Sequence, residues 1–299
     1  MSRAAVVVNP TKLDDFEAFR KSVVRAMEDR GWDEPLWQET TPEDPGRGQA
    51  ETAVSAAVDL LIACGGDGTV TACAEGVAGT GVPLAVIPLG TGNLLARNVG
   101  VPMGLEEALE VALGGVQQPV DAGRVNGKLF LVMAGLGLDA RMLDDTSEPL
   151  KKRLGWLAYA LTAVRHLGDR PMKVTVRADG GRPRRLRAGA VIIGNVGWLQ
   201  GGVPLLPDAR PDDGVLDAVV LIAGGLAGWL AVAADILLRR PAHGGTHRVR
   251  FSELQVTLDT EQPWELDGEV AGSTRQLTVV AQPGALLLRV PPDESRTHD

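Results

Sequence analysis

The segment DLLIACGGDGTV, residues 59–70, joins a short apolar run to three glycines that surround one aspartate. The apolar run is typical of a buried strand in a parallel sheet. At the end of such a strand, glycines allow backbone N–H groups to approach an anion, and a following helix directs its positive end there. Asp67 would then act through a hydrogen bond, a bound metal or orientation of the loop. A tight turn with a helix cap explains the same residues without a ligand, and that alternative stays open.

A second glycine turn, PLGTGNLLARN at residues 88–98, also follows an apolar run and enters a predicted helix. Gly90 and Gly92 free the backbone, while Thr91 and Asn93 offer short side chains for a phosphate, a ribose or a helix cap. Neither turn fits the dinucleotide pattern G-x-G-x-x-G, and the chain contains no Walker-type phosphate loop. Two such turns at the ends of adjacent strands nevertheless predict a nucleotide-binding site.

The pattern of apolar runs divides the chain into two domains. Short strands alternate with helices over the first part, which predicts an α/β layer with a mostly parallel sheet. The predicted strands are 4–8, 59–63 and 83–88, and the predicted helices are 14–30, 49–58, 70–78 and 105–113. From about residue 120 most elements are β-branched or alternating strands, interrupted by helices at about 150–167 and 225–239. We therefore place one domain at 1–119 and a β-rich domain at 120–284, and residues 285–299 could pack on either.

Charge and composition restrict the classes of partner. The net charge of −8 argues against a nucleic-acid binder. Residues 151–187 are an exception, because they carry eleven Lys or Arg against two Asp. This basic region is either a solvated face or a contact for an anionic surface such as a membrane. The apolar run 221–238 contains Asp235 and reads as a buried or interfacial helix, and no signal peptide is expected, so we predict a cytoplasmic, peripherally membrane-associated protein.

Six motifs, in order along the whole chain, resemble the diacylglycerol kinase catalytic-domain family, in its bacterial soluble lipid-kinase branch related to sphingosine and ceramide kinases. They are VVVNPTK (6–12), CGGDGTV (64–70), IPLGTGNLLARNVGVP (87–102), VDAGRVNG (120–127), PDARPDDGVLD (207–217) and ELDGEV (265–270). The resemblance implies a Rossmann-like N-terminal domain of the NAD kinase and diacylglycerol kinase type. It also implies a C-terminal β-sandwich domain, with ATP and the active site in a cleft between the two.

The resemblance also implies roles for individual residues. Glu269 would be the catalytic base, and Asp67 and Asp121 would help to hold the catalytic Mg²⁺. A structural Mg²⁺ would be bound by Asp213 with the carbonyls of Arg210 and Val215. The nucleotide-binding residues would be Asn9, Pro10, Thr11, Lys12, Thr40 or Thr41, Gly65, Gly66, Asp67, Gly68, Thr69, Gly90, Thr91 and Asn93. The sequence departs from the family pattern after Asn9-Pro10, where the usual Ser-Gly is absent.

The physical case for Glu269 stands beside the resemblance. Phosphoryl transfer to an alcohol needs alignment, charge neutralisation and a carboxylate that accepts the hydroxyl proton. Asp267-Gly268-Glu269 puts two acids on a turn between strands, although a hairpin turn with a solvated glutamate gives the same pattern. We therefore expect an ATP- and Mg²⁺-dependent kinase that converts diacylglycerol or a similar lipid alcohol to phosphatidic acid. A kinase of a soluble substrate, as in NAD kinase or phosphofructokinase, and a non-catalytic binding protein are the alternatives. The sequence leaves a homodimer open.

Overall fold

The computed structural model describes residues 2–137, 171–199, 203–222 and 246–292. Within these ranges the chain forms two compact units. The N-terminal unit contains the chain up to Val120 together with the segment that starts at Gly284, and the C-terminal unit is Asp121–Pro283. The helices predicted at 150–167 and 225–239 lie outside the described residues.

The N-terminal unit is built on a parallel sheet. Its strands are β1 (Ala4–Val8), β2 (Leu36–Glu39), β3 (Leu60–Gly65) and β4 (Leu84–Pro88), in the order β2-β1-β3-β4. Every residue of β1, β3 and β4 is buried, as their continuous apolar runs predict for strands covered on both faces. On the other side of β4, Leu288 pairs with Leu84 in parallel, so the last strand of the chain adds to this sheet.

In the described part of this unit, five helices and one short 3-10 turn (Pro10–Lys12) lie between these strands or after β4. The helices are α1 (Phe16–Glu28), α2 (Arg47–Ser55), α3 (Asp67–Val77), α4 (Leu94–Asn98) and α5 (Leu105–Gly114). Helix α1 is capped at its start by Asp15 and buries Phe19, Val23 and Met27, which lie at helical spacing. Helix α3 begins at Asp67, three residues earlier than the predicted start at residue 70, so part of the first glycine motif is helical.

The sequence did not predict β2. Its four residues, LWQE, are half-buried or exposed and lie at the edge of the sheet, so they lack the apolar run that marks the other strands. Cys64 and Cys73 are free and buried. Burial raises the pKa of both thiols, which makes them poor nucleophiles.

The described part of the C-terminal unit is built mainly of antiparallel strands. They are β5 (Val116–Val125), β6 (Lys128–Phe130), β7 (Met133–Gly137), β8 (Met172–Ala178), β9 (Arg184–Ala188), β10 (Ala190–Gly194), β11 (Trp198–Leu199), β12 (Val203–Pro204), β13 (Leu216–Leu221), β14 (Thr246–Phe251), β15 (Glu253–Leu266) and β16 (Glu269–Val290). The path β14-β13-β10-β7-β15-β16 is antiparallel throughout, and β8 adds to β15 and carries β9 at its edge. Strands β5 and β16 each begin in one unit and end in the other.

The inward residues of these strands form one apolar core, which includes Phe130, Leu136, Ile193, Phe251 and Trp264. Together the two units confirm the predicted fold class, an α/β domain followed by a β-sandwich domain. Within the described ranges, no helix is long and apolar enough to cross a bilayer.

Candidate active site

The two glycine motifs of the N-terminal unit contact each other directly. Each follows one of the neighbouring parallel strands β3 and β4, and the N–H of Leu89 donates to the carbonyl of Gly65 at 2.8 Å. A Cβ atom on Gly90 would lie 2.6 Å from the Cα of Gly66. This is too close for two carbon atoms, whose optimal separation is about 3.5–4.0 Å. Glycine is therefore required at position 90 by the approach of the two backbones, a reason that the sequence alone did not give.

Asp67 holds the second motif in place. Its carboxylate accepts hydrogen bonds from the N–H groups of Asn93 at 2.8 Å and Leu94 at 2.6 Å, which caps the start of α4. Burial raises the pKa of Asp67, and the hydrogen bonds from Leu94 and Asn93 oppose that rise. A Cβ atom on Gly92 would lie 2.7 Å from this carboxylate. Of the roles that the sequence left open for Asp67, orientation of the loop is the one that its contacts support.

Asn93 makes the second motif rigid from within. It is buried and adopts a left-handed backbone conformation, with φ at 49°. Its side-chain oxygen accepts from the N–H of Gly90 at 2.9 Å, and its amide donates to the carbonyl of the same glycine at 2.8 Å. Asparagine tolerates this conformation better than most residues because its short side chain hydrogen-bonds locally.

The start of α3 offers backbone donors to an anion. Gly66 is the residue before the helix and, as a glycine, has no side chain to cap it. The N–H groups of a first helical turn have no partners within the helix, and the helix dipole favours negative charge there. Gly68 and Thr69 belong to this turn, and Thr69 is buried. The arrangement suits a phosphate group.

The remaining predicted nucleotide residues of this unit lie after the same ends of the parallel strands. Asn9 follows β1 and its N–H donates to the carbonyl of Cys64, while its side-chain oxygen accepts from the N–H and the hydroxyl of Thr11. Thr40 follows β2 and donates its N–H to Val8.

The next residue, Thr41, closes a turn with Asp44, because its hydroxyl accepts the N–H of Asp44 at 3.1 Å. No side-chain hydrogen bond occupies the Thr40 hydroxyl within the described part of the chain. The contribution of Thr40 or Thr41 to nucleotide binding stays a prediction.

In the C-terminal unit, the D-G-E segment forms the hairpin turn between β15 and β16. Leu266 pairs with Glu269 across a two-residue loop, in which Asp267 and Gly268 have φ values of 47° and 88°. Both central residues of a type I′ turn require such positive values, which explains the Asp-Gly sequence. Glu269 is exposed and stands at the first position after the turn.

The Asp267 carboxylate does more than shape this turn. It accepts hydrogen bonds from three consecutive backbone N–H groups, those of Leu131, Val132 and Met133, at 2.9–3.0 Å. Glu265, which is buried, accepts the N–H of Gly268 at 2.8 Å. The turn that carries Glu269 is thus fixed by two carboxylates, and the sequence predicts neither of these contacts.

The predicted metal residues of this unit are engaged with protein groups. The buried Asp121 accepts the N–H of Gly214 at 2.6 Å, and its own N–H donates to the carbonyl of Pro211. Asp213 pairs with Arg250 and accepts the N–H of Val215 at 3.3 Å.

Among the described residues, no group of three or more His, Cys, Asp or Glu is placed to hold a metal. The Mg²⁺ site predicted at Asp213 and the carbonyls of Arg210 and Val215 stays a prediction. In this structure the counter-ion of Asp213 is Arg250.

A buried amide that the sequence analysis missed links the two loops of the C-terminal unit. The Nδ2 atom of Asn195 donates to the carbonyl of Asp121 at 2.8 Å and to the carbonyl of Leu131 at 3.0 Å. Leu131 is also held by Asp267, so a chain of hydrogen bonds runs from the D-G-E turn to the PDDG turn. The only sequence signal for Asn195 is a polar residue directly after the apolar strand β10.

Comparison with known proteins identifies the family. The model of the diacylglycerol kinase catalytic domain matches residues 3–125, and the model of the YegS C-terminal NAD kinase beta sandwich-like domain matches residues 132–290. A diacylglycerol kinase from Bacillus subtilis is 31% identical, with 91% of each chain covered. This chain belongs to the diacylglycerol kinase catalytic-domain family.

Further relatives agree with this assignment. A protein named probable lipid kinase YegS-like from Pseudomonas aeruginosa is 37% identical over 84% of this chain and 83% of its own length. A crystal structure of a diacylglycerol kinase from Bacillus anthracis superimposes with a TM-score of 0.79 at 26% identity, with 97% of each chain covered. An NAD kinase from Archaeoglobus fulgidus, with a TM-score of 0.53 at 15% identity, shares the fold. Family membership makes this chain a phosphotransferase of the lipid-kinase type, and a kinase of this family implies the use of ATP.

Proposed function

We propose that this chain is an ATP-dependent lipid kinase that phosphorylates diacylglycerol, or a similar lipid alcohol, to phosphatidic acid or its analogue. The observation that carries the proposal is the pairing of the two glycine motifs through Asp67, which gives a rigid set of backbone donors at the start of α3. The names of the relatives support a lipid as the acceptor.

The N-terminal unit would bind the nucleotide. The phosphates would lie at the first turn of α3, beside the Gly90–Asn93 loop, because the N–H groups of that turn and the helix dipole favour negative charge there. Asn9 and Thr40, which follow neighbouring strands, would contact the rest of the nucleotide. Asp67 would act indirectly, because its two hydrogen bonds keep the loop in register with the helix.

The C-terminal unit would supply the base. In the reaction, the hydroxyl oxygen of the lipid forms a bond to the γ-phosphorus, while the bond from that phosphorus to the bridging oxygen breaks. ADP leaves with the electron pair of that bond, and the Glu269 carboxylate accepts the hydroxyl proton. The hydrogen bonds of Asp267 and Glu265 keep the turn in one conformation, so that Glu269 is presented at a fixed position.

Magnesium would neutralise charge on the phosphates when it is bound. Mg²⁺ in kinases is bound by one or two carboxylates together with phosphate oxygens and water. Asp67, which accepts hydrogen bonds from Asn93 and Leu94, and Asp121, which accepts one from Gly214, are the carboxylates that would help to hold it here. Asp213 fits a metal less well, because the positive charge of Arg250 already neutralises its carboxylate.

Two alternatives remain within the same chemistry. A sphingoid or other lipid alcohol could replace diacylglycerol as the acceptor. A soluble acceptor is the second alternative, since the NAD kinase fold is shared.

Phosphate transfer from labelled ATP to diacylglycerol, a sphingoid base, NAD and fructose 6-phosphate separates these cases, with the lipids presented in mixed micelles. We expect label in diacylglycerol or another lipid alcohol. Label in NAD or the sugar, with none in any lipid, would contradict the proposal.

A further inference from the structure

The hairpin of β8 and β9 concentrates positive charge in a chain whose net charge is negative. Between Pro171 and Gly189 the sequence has six Lys or Arg and a single acid, Asp179, against a net charge of −8 for the whole chain. The six cations are Lys173, Arg177, Arg182, Arg184, Arg185 and Arg187. All six side chains are exposed.

The register of the hairpin collects several of these cations on one face. Lys173 lies opposite Arg187, and Thr175 lies opposite Arg185. Directly opposed residues of an antiparallel pair share a face, and residues two apart on one strand share it too. The alternate valines of β8 are buried in the core of the unit. Lys173, Arg185 and Arg187 therefore project from the face that points away from the core, and Arg177 lies on the same face.

Few anionic groups on this face neutralise the cations. Asp259 lies 3.7 Å from Lys173, with the two side chains 64% and 67% exposed, and an exposed pair of this kind contributes little. Glu253, at the far end of β15, accepts a hydrogen bond from Gln255. Asp179 is occupied at the turn, where it accepts the N–H groups of Ser252 and Glu253.

The spacing makes these charges act together. Opposed Cβ atoms are about 5 Å apart, and residues two apart on a strand are separated by roughly 6.6 Å. Lys173, Arg185 and Arg187 thus lie within about one Debye length at 0.1 M salt. Like charges directly opposite each other, as Lys173 and Arg187 are, destabilise a hairpin. An anionic partner bound to this face would reduce the repulsion between Lys173 and Arg187. If the face contacted only water, the repulsion would remain.

We propose that this face, formed by Lys173, Arg177, Arg185 and Arg187, docks on the surface of an anionic phospholipid bilayer. The proposal rests on the proposed function, because a lipid acceptor resides in a bilayer and a kinase that uses it must reach that surface. Phosphate headgroups supply dense negative charge over a plane, which matches a flat sheet face with several cations. Within the described residues β9 pairs only with β8, so no further strand extends the sheet beyond this hairpin.

The test is equilibrium binding of the full chain to vesicles, measured without ATP. Vesicles of phosphatidylcholine mixed with phosphatidylglycerol are compared with vesicles of phosphatidylcholine alone, at low and high salt. The double variant Arg185→Gln/Arg187→Gln should bind the anionic vesicles about 25-fold more weakly, at roughly fivefold per cation near a membrane surface. High salt should reduce the difference between the variant and the wild type.

A matched control removes the same charge elsewhere. Lys21→Gln/Arg25→Gln neutralises two exposed cations on α1 and should leave vesicle binding unchanged. An equal loss in both variants, or wild-type binding to a DNA duplex but not to anionic vesicles, would overturn the proposal.

Kinase activity on diacylglycerol in neutral detergent micelles separates this inference from the function. Both variants should retain that activity. A wild type that binds vesicles but phosphorylates no lipid in micelles would contradict the function and leave the docking face supported. If the wild type phosphorylates lipid in micelles but Arg185→Gln/Arg187→Gln binds anionic vesicles as tightly as the wild type, the docking face is refuted and the function is not.

Discussion

The substitution Gly90→Ala tests whether the close approach of the two glycine motifs builds the nucleotide site. The new Cβ atom would lie 2.6 Å from the Cα of Gly66 and 2.8 Å from the side-chain oxygen of Asn93. Both neighbours are held, Gly66 by the strand and helix that flank it and Asn93 by its hydrogen bonds to Gly90. The overlap with Gly66 is about 1 Å relative to an ordinary carbon contact, so the two motifs must separate.

The cost follows from that displacement. Overpacking a well-packed site costs about 1–3 kcal/mol, and each kcal/mol lowers the melting temperature of a unit of this size by roughly 2–4 °C. A displacement of 1 Å in groups that position a substrate can lower turnover by about 100-fold. We therefore expect a lower melting temperature, weaker ATP binding and a larger loss of turnover.

Calorimetric ATP titration, thermal unfolding and phosphate transfer measure these three quantities. Gly114→Ala is the matched control, because a Cβ atom there meets no heavy atom within 4 Å and the residue closes α5 in an ordinary helical conformation. It should stabilise the chain by about 0.4–1 kcal/mol. If Gly90→Ala binds ATP and unfolds like Gly114→Ala, the contact between the motifs does not build the site.

Three further substitutions test single contacts. Asp267→Ala removes the acceptor of three backbone N–H groups, which costs roughly 1–3 kcal/mol of stability for each buried group left unpaired, and it should also lower turnover. The control Asp179→Ala alters a turn remote from Glu269 and should lower stability without lowering turnover. Equal turnover in the two variants would contradict the role of Asp267. Asn195→Leu should lower the urea midpoint, because two buried carbonyls lose their donor, and an unchanged midpoint would show that the amide bridge contributes nothing. Burial raises the pKa of Asp67, so the folded chain binds a proton on this carboxyl more tightly than the unfolded chain does. The contribution of Asp67 to stability is therefore greatest at low pH. It falls as the pH rises from the ordinary pKa of about 3.9 through the raised pKa of the folded chain. Asp67→Asn should remove this decline in urea unfolding measured across pH, and an unchanged decline would refute the assignment.

The meeting of the two glycine motifs could be predicted from sequence because it follows from strand order. Two glycine motifs after adjacent parallel strands must meet at the same edge of a sheet. The contacts that fix them could not be predicted, because Asp67 reaches Asn93 and Leu94 across 26 and 27 residues of chain. The start of α3 at Asp67 could not be predicted either, because glycine is a poor helix former and Gly68 lies in the first turn of the helix.

The C-terminal unit shows the same limit more clearly. The Asp-Gly dipeptide at 267–268 predicts a hairpin turn from local chemistry alone, and the structure has that turn. The same Asp267 carboxylate also binds backbone groups about 135 residues away, and Asn195 reaches Asp121 and Leu131 across 74 and 64 residues of chain. Only the folded strand order brings these groups together, so no local pattern marks them.

The most direct test of the central claim is the turnover of Glu269→Gln with diacylglycerol, measured beside its affinity for ATP. Glu261→Gln is the control, since Glu261 is another exposed glutamate of the same hairpin. The account predicts that Glu269→Gln lowers turnover by about 100- to 10,000-fold, the range for loss of a general base, while ATP affinity stays close to that of the wild type. Glu261→Gln should retain full turnover. Unchanged turnover in Glu269→Gln would contradict the assignment of Glu269 as the base.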